Sequence, residues 1–122
     1  MRTGAYKTTL SRVMAVSGVR GAMVVAVKDG LIVDGRVHVG IHGEAVAALA
    51  ASLFRRACRA TGAKEGQTRF VELEAEAGRI LIVGRDDLAL MAVLERRANT
   101  GQARLAVRRA ARGLTESGEG MG

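Results

Sequence analysis

Residues 5–17 place Tyr6, Leu10, Val13, Met14 and Ser17 on one stripe at helical spacing, and Gly18 and Gly21 close that helix. The run Ala22-Met23-Val24-Val25-Ala26-Val27 is apolar throughout and stops at Asp29-Gly30, a strong hairpin signal. The return strand alternates, with Leu31, Val33, Val37 and Val39 on one side and Asp34, Arg36 and His38 on the other. Gly40 and Gly43 precede the longest helix, about Glu44 to Thr61, which Gly62 ends. Residues 67–76 alternate again, Phe70, Glu72, Glu74 and Glu76 against Val71, Leu73 and Ala75. Ala77-Gly78 turns the chain into Ile80-Leu81-Ile82-Val83, and Asp86-Asp87 into Leu88–Leu94. The preceding hairpin favours strand for this last run, which helical propensity also allows. Asn99 caps a final helix from Gln102 to Leu114, whose stripe is Ala103, Ala106, Val107, Ala110 and Leu114.

Three of the five strand runs, 22–27, 80–83 and 88–94, are apolar on both faces and need cover on both sides. The alternating runs, 31–39 and 67–76, suit sheet edges. An α/β (α+β) fold follows: one five-stranded antiparallel sheet in the order 2-1-5-4-3, the long helix on one face and two helices on the other. At 122 residues the chain makes one domain, placed at 1–114, with a Gly-, Ser- and Glu-rich tail, 115–122, expected to be disordered.

Five segments together resemble the Roadblock/dynein light chain family. They are Val19-Arg20-Gly21-Ala22-Met23-Val24-Val25; Lys28-Asp29-Gly30-Leu31-Ile32-Val33; Glu44-Ala45-Val46-Ala47-Ala48-Leu49; Gly78-Arg79-Ile80-Leu81-Ile82-Val83; and Ala98-Asn99-Thr100-Gly101-Gln102-Ala103-Arg104-Leu105. The resemblance spans about residues 5–114. It implies the profilin-like Roadblock fold, homodimerisation, and work as a platform for or regulator of small Ras-like GTPases. Some bacterial members act as GTPase activators. The family has no catalytic centre of its own, so no catalytic residue, cofactor or metal is implied.

Composition makes self-association attractive. The chain has three aromatic residues, Tyr6, Phe54 and Phe70, so its core is built from smaller side chains that each bury little area. On the long helix Val46, Leu49, Ala50, Leu53 and Ala57 form one stripe. Ala47, Ala48, Ala51, Ser52, Phe54 and Cys58 form a second beside it. One stripe covers a sheet; the other is surplus and suits a close helix–helix seam. The alternative is that alanine fills a surface helix as a good helix former. The seam is assigned to Val46, Ala47, Leu49, Ala50, Ala51, Leu53, Phe54 and Cys58, with Phe70 and Val71 at a self-pairing edge strand. The exposed residues Glu44, Arg55 and Arg59 are the candidates for GTPase contact.

Nineteen basic residues face twelve acidic ones, a formal charge of +7. Arg104, Arg108 and Arg112 recur at i, i+4, i+8 on the last helix. This suits an acidic partner or anionic surface, or simply a solvated face; nucleic acid is disfavoured because stacking aromatics are scarce and no DNA- or RNA-binding signature occurs. His38 and His42 flank a strand-to-helix turn without further ligands nearby. Thr61-Gly62-Ala63-Lys64 lacks the upstream glycine and following Ser/Thr of a phosphate loop. Cys58 reads as a buried, inert thiol. No apolar run reaches a membrane span and no signal peptide is apparent, so a cytoplasmic location is expected. Two other readings stay open: a purely structural dimeric scaffold, and a basic accessory to nucleic acid.

Overall fold

A computed structural model describes residues 6–64 and 68–121, with side chains described as far as Leu114. The elements are α1 (Lys7–Met14), β1 (Val19–Ala26), β2 (Ile32–Val37), α2 (Gly43–Thr61), β3 (Arg69–Ala75), β4 (Gly78–Arg85), β5 (Leu88–Glu95) and α3 (Thr100–Met121). The five strands form one antiparallel sheet in the order β2-β1-β5-β4-β3. The doubly apolar runs therefore occupy the centre and the alternating runs the two edges, as their patterns require. The side chains of the expected disordered tail lie outside the described residues; the backbone of α3 runs on to Met121.

The sheet has a cluster of buried side chains on each face. Leu10 and Val13 of α1 and Ala103, Val107, Ala110, Ala111 and Leu114 of α3 pack over Val24, Leu81, Val83, Leu90 and Leu94. On the other side α2 alone covers Met23, Val25, Ile82, Ala89 and Met91. Turn chemistry sets the boundaries. Leu31 N–H donates to Asp29 Oδ1 at 3.1 Å, and Gly30 supplies the positive φ of 75° that the β1–β2 turn needs. Gly62 closes α2 in the left-handed region. Gln102 N–H donates to Asn99 Oδ1 at 3.0 Å, the cap expected for α3.

One strand departs from simple alternation. Val24 pairs with Asp34 and Val25 with Ile32, so Val33 is an extra residue in β2. The bulge turns Ile32 toward α2, where it packs against the core. Leu31, Val33, Val37 and Val39, which alternation groups as one row, are all exposed; Val39 is 98% exposed.

Candidate functional site

The asymmetry between the faces defines the site. Five strands about 4.8 Å apart make a sheet roughly 20 Å wide between its outer strands. A helix with its side chains covers about 10 Å. Two helices shield one face; α2 alone cannot shield the other. The strip it leaves lies toward β3 and β4, where Leu49 and Leu53 of α2 face Leu73, Ile80 and Val93 across an apolar groove of about 520 Å³.

The buried row of α2 draws on both stripes read from the sequence. Ala47, Ala50, Ala51, Phe54 and Cys58 are buried against the sheet of their own chain. They offer a partner no surface, which removes them from the seam assigned by pattern. The cause is steric. The sheet presents the long side chains Met23, Ile82 and Met91, and an alanine row lets the helix settle onto them. Phe54, fully buried, lies over Gly84, where an added Cβ would stand 2.2 Å from the ring. The larger residues face outward: Val46 and Leu53 are half-buried and Leu49 is 59% exposed.

At about 100° per residue, α2 has two flanks around this buried row. Val46, Leu49 and Leu53 lie on the flank toward β3. Glu44, Ala48, Arg55 and Arg59 lie on the flank toward β1 and β2. There an added Cβ on Gly30 would stand 3.1 Å from Ala48 Cα, and Arg55 Nη1 donates to Val27 carbonyl O at 2.6 Å. Arg55 is thus partly engaged in tying α2 to the end of β1, whereas Glu44 and Arg59 are exposed. They stand fifteen residues apart, about 22 Å along the helix.

The edge strand β3 belongs to both faces. Val71 and Leu73 point to the α2 side and Phe70 to the α3 side. Phe70 and Val71 are half-buried, and the Arg108 guanidinium lies 4.3 Å from the Phe70 ring centroid. Arg104 Nε and Nη2 donate to the two Glu72 carboxylate oxygens at 2.7 and 3.0 Å. Arg79 approaches Glu72 at 3.5 Å and Glu74 at 3.4 Å, and donates to the Thr100 hydroxyl. Two of the three arginines that repeat along α3 are therefore engaged in holding the edge strand. The sequence repeat marks Arg104 and Arg108, but their partners Glu72 and Phe70 stand more than thirty residues earlier.

The hydrogen bonds from Arg104, reinforced by the charges of Arg104 and Arg79, hold the Glu72 carboxyl below its ordinary value against the opposing effect of burial. A depressed folded-state pKa stabilises the fold at pH above the unfolded value, about 4.3. That contribution is lost as pH falls through the folded value. Urea midpoints of the parent and Glu72→Gln should differ at pH 7, and the difference should shrink as the pH falls below the ordinary carboxylate range. A constant difference would show that the carboxylate charge is not the cause.

His38 and His42 are both exposed, and Cys58 is buried. Among the described residues no group of three or more His, Cys, Asp or Glu is placed to hold a metal ion, and no helix is long and apolar enough to cross a membrane.

A sheet of this order with a single helix on one face and two on the other defines a profilin-like interaction module of the Roadblock type. Residues 5–95 match the family model described as Roadblock/LC7 domain, and the chain belongs to that family. A Methanocaldococcus jannaschii relative, uncharacterized protein MJ0310, is 32% identical over 96 residues, covering 77% of this chain and 82% of the relative. Among solved structures, the gliding protein MglB from Thermus thermophilus superposes with a TM-score of 0.79 at 16% identity, over 94% of this chain and 89% of the other. MglB in a tetrameric arrangement gives 0.80 at 18% identity, over 93% and 88%. Acanthamoeba castellanii profilin II gives 0.59 at 20% identity, over 97% and 99%. These likenesses show the fold.

Proposed function

We propose that the chain is a homodimeric Roadblock-type platform in the cytoplasm that binds and regulates a small Ras-like GTPase. The observation that carries this reading is the division of α2 into an apolar flank over an uncovered strip of sheet and a polar flank on the opposite side. In the proposed dimer, α2 packs against α2 through Val46, Leu49 and Leu53, and the β3 edges, carrying Phe70 and Val71, pair beside them. Burial of the strip supplies area that a core with three aromatics lacks. The assembly of MglB, described in a tetrameric arrangement, supports self-association as a habit of this fold.

The polar flank then supplies the GTPase contact through Glu44 and Arg59, with Arg55 fixing the helix between them. Such a platform is not itself an enzyme. It changes the nucleotide cycle by binding one state of the GTPase better than the other, so its effect is bounded by that difference in affinity. The test mixes the chain with its GTP-loaded partner GTPase and follows phosphate release. A change of roughly tenfold, about 1.4 kcal/mol, lost in Arg59→Gln and Glu44→Gln, is expected. Co-elution without a change in rate would favour a purely structural scaffold. Failure to co-elute would overturn the reading.

A further inference from the structure

The outer surface of the α1–α3 layer takes no part in the groove or in the α2 flanks. It carries Lys7 and Arg12 from α1 and Arg109 and Arg112 from α3, all exposed. None has an acidic partner among the described residues, unlike Arg104, which Glu72 holds. Lys7–Met14 contains no acidic residue, and neither does α3 from Thr100 to Leu114. Arg12, Arg109 and Arg112 converge on a shallow groove of about 320 Å³ between the two helices, floored by Thr9, Ala110 and Gly113. Gly113 permits the close approach: a Cβ there would stand 2.9 Å from the Thr9 hydroxyl. Leu105, two turns before Arg112 on the same side of α3, is 50% exposed.

We infer that this layer is an adsorption surface for anionic membrane headgroups. Charge complementarity selects a polyanion, because Arg12, Arg109 and Arg112 stand together with no acidic partner among the described residues. The remaining features select a bilayer. Bases would need stacking platforms, but Tyr6 is buried and Phe70 lies beneath Arg108. An acidic protein would need an apolar pocket for an anchoring side chain, and the groove floor is a hydroxyl, an alanine and a glycine. A lipid surface needs neither. It takes a broad two-helix layer of cations with an apolar side chain, here Leu105, dipping toward the acyl boundary.

The surface is complete in a single chain, so the inference stands without the dimer. Pairing of α2 with α2 and β3 with β3 relates two copies by an axis perpendicular to the sheet. Both α1–α3 layers would then lie on one side, opposite the GTPase-binding flank, and the number of cations facing the bilayer doubles.

The experiment is sedimentation of the full chain with vesicles of roughly three parts phosphatidylcholine to one part phosphatidylserine, beside pure phosphatidylcholine vesicles. Binding to the anionic vesicles alone is expected, weakening steeply between about 0.05 and 0.3 M salt. The triple variant Arg12→Gln, Arg109→Gln, Arg112→Gln should bind at least about tenfold more weakly, with an unchanged circular dichroism spectrum. Arg36→Gln, an exposed cation on β2, should bind as the parent does. Equal binding to neutral vesicles, or parental binding by the triple variant, would overturn the inference. So would tighter binding to a random-sequence DNA duplex or to polyglutamate than to the anionic vesicles. Light scattering on the same samples reports the dimer separately: a monomer that still adsorbs refutes the pairing and leaves this surface in place.

Discussion

Leu49→Arg is expected to halve the mass of the protein in solution while leaving it folded. Leu49 is 59% exposed in the single chain, so a long cationic side chain there meets solvent and disturbs nothing in the core. In the proposed dimer the same residue would be removed from water against a partner helix. Its loss takes away an apolar anchor from each copy and brings two like charges together, a cost of about 2 kcal/mol or more. Ala51→Arg provides the contrast. Ala51 is fully buried, and an added Cβ on Gly30 would stand 3.5 Å from its Cβ. An unpaired guanidinium cannot be accommodated there, so this variant should fail to fold rather than dissociate. Multi-angle light scattering with circular dichroism separates the outcomes. A folded Leu49→Arg dimer would remove the proposed seam.

Phe54→Ala should destabilise the protein by about 3–5 kcal/mol, a large share of the roughly 5–15 kcal/mol that holds a domain together. Phe54 is the bulkiest fully buried side chain, and its ring reaches from α2 down to Gly84 of β4. Arg69 lies over the ring, its guanidinium 5.2 Å from the ring centroid, while its Nη2 donates to the Asp86 carbonyl oxygen. The complementary change, Gly84→Ala, crowds the same ring and should cost about 1–3 kcal/mol. The two are coupled: with Phe54 replaced by alanine, Gly84→Ala should cost little. Urea denaturation of both single variants and the double variant measures that coupling. Additive losses would show that the ring and the glycine do not share a space.

Much of the sheet was legible because its signals are local. Doubly apolar runs and alternating runs separate centre from edge, and the order β2-β1-β5-β4-β3 follows from that distinction. The caps at Asn99 and Gly62 and the turn at Asp29-Gly30 are equally short-range. The orientation of α2 was not legible, because both of its stripes are apolar and periodicity cannot rank them. The choice is made by Gly84, which receives Phe54, and by Met23, Ile82 and Met91, against which the alanines of the helix settle. The bulge at Val33 was hidden for a related reason. A strict two-residue period carries no mark of an extra residue. The arginine repeat on α3 was visible, but which members are taken up by Glu72 and Phe70 depends on contacts across more than thirty residues.

The surplus residue in β2 bears on how far association can proceed. Joining two copies at β3 closes one margin of each sheet and leaves the other, so the pair would end in β2 on both sides. There the extra Val33 breaks the regular spacing of donors and acceptors, Asp34 Oδ1 accepts from the Gly35 amide, and Arg36 puts a cation on the strand. A third copy finds no straight template to continue. In the proposed dimer the irregularity would act as a terminator, keeping pairing at β3 from continuing at β2 into a fibre.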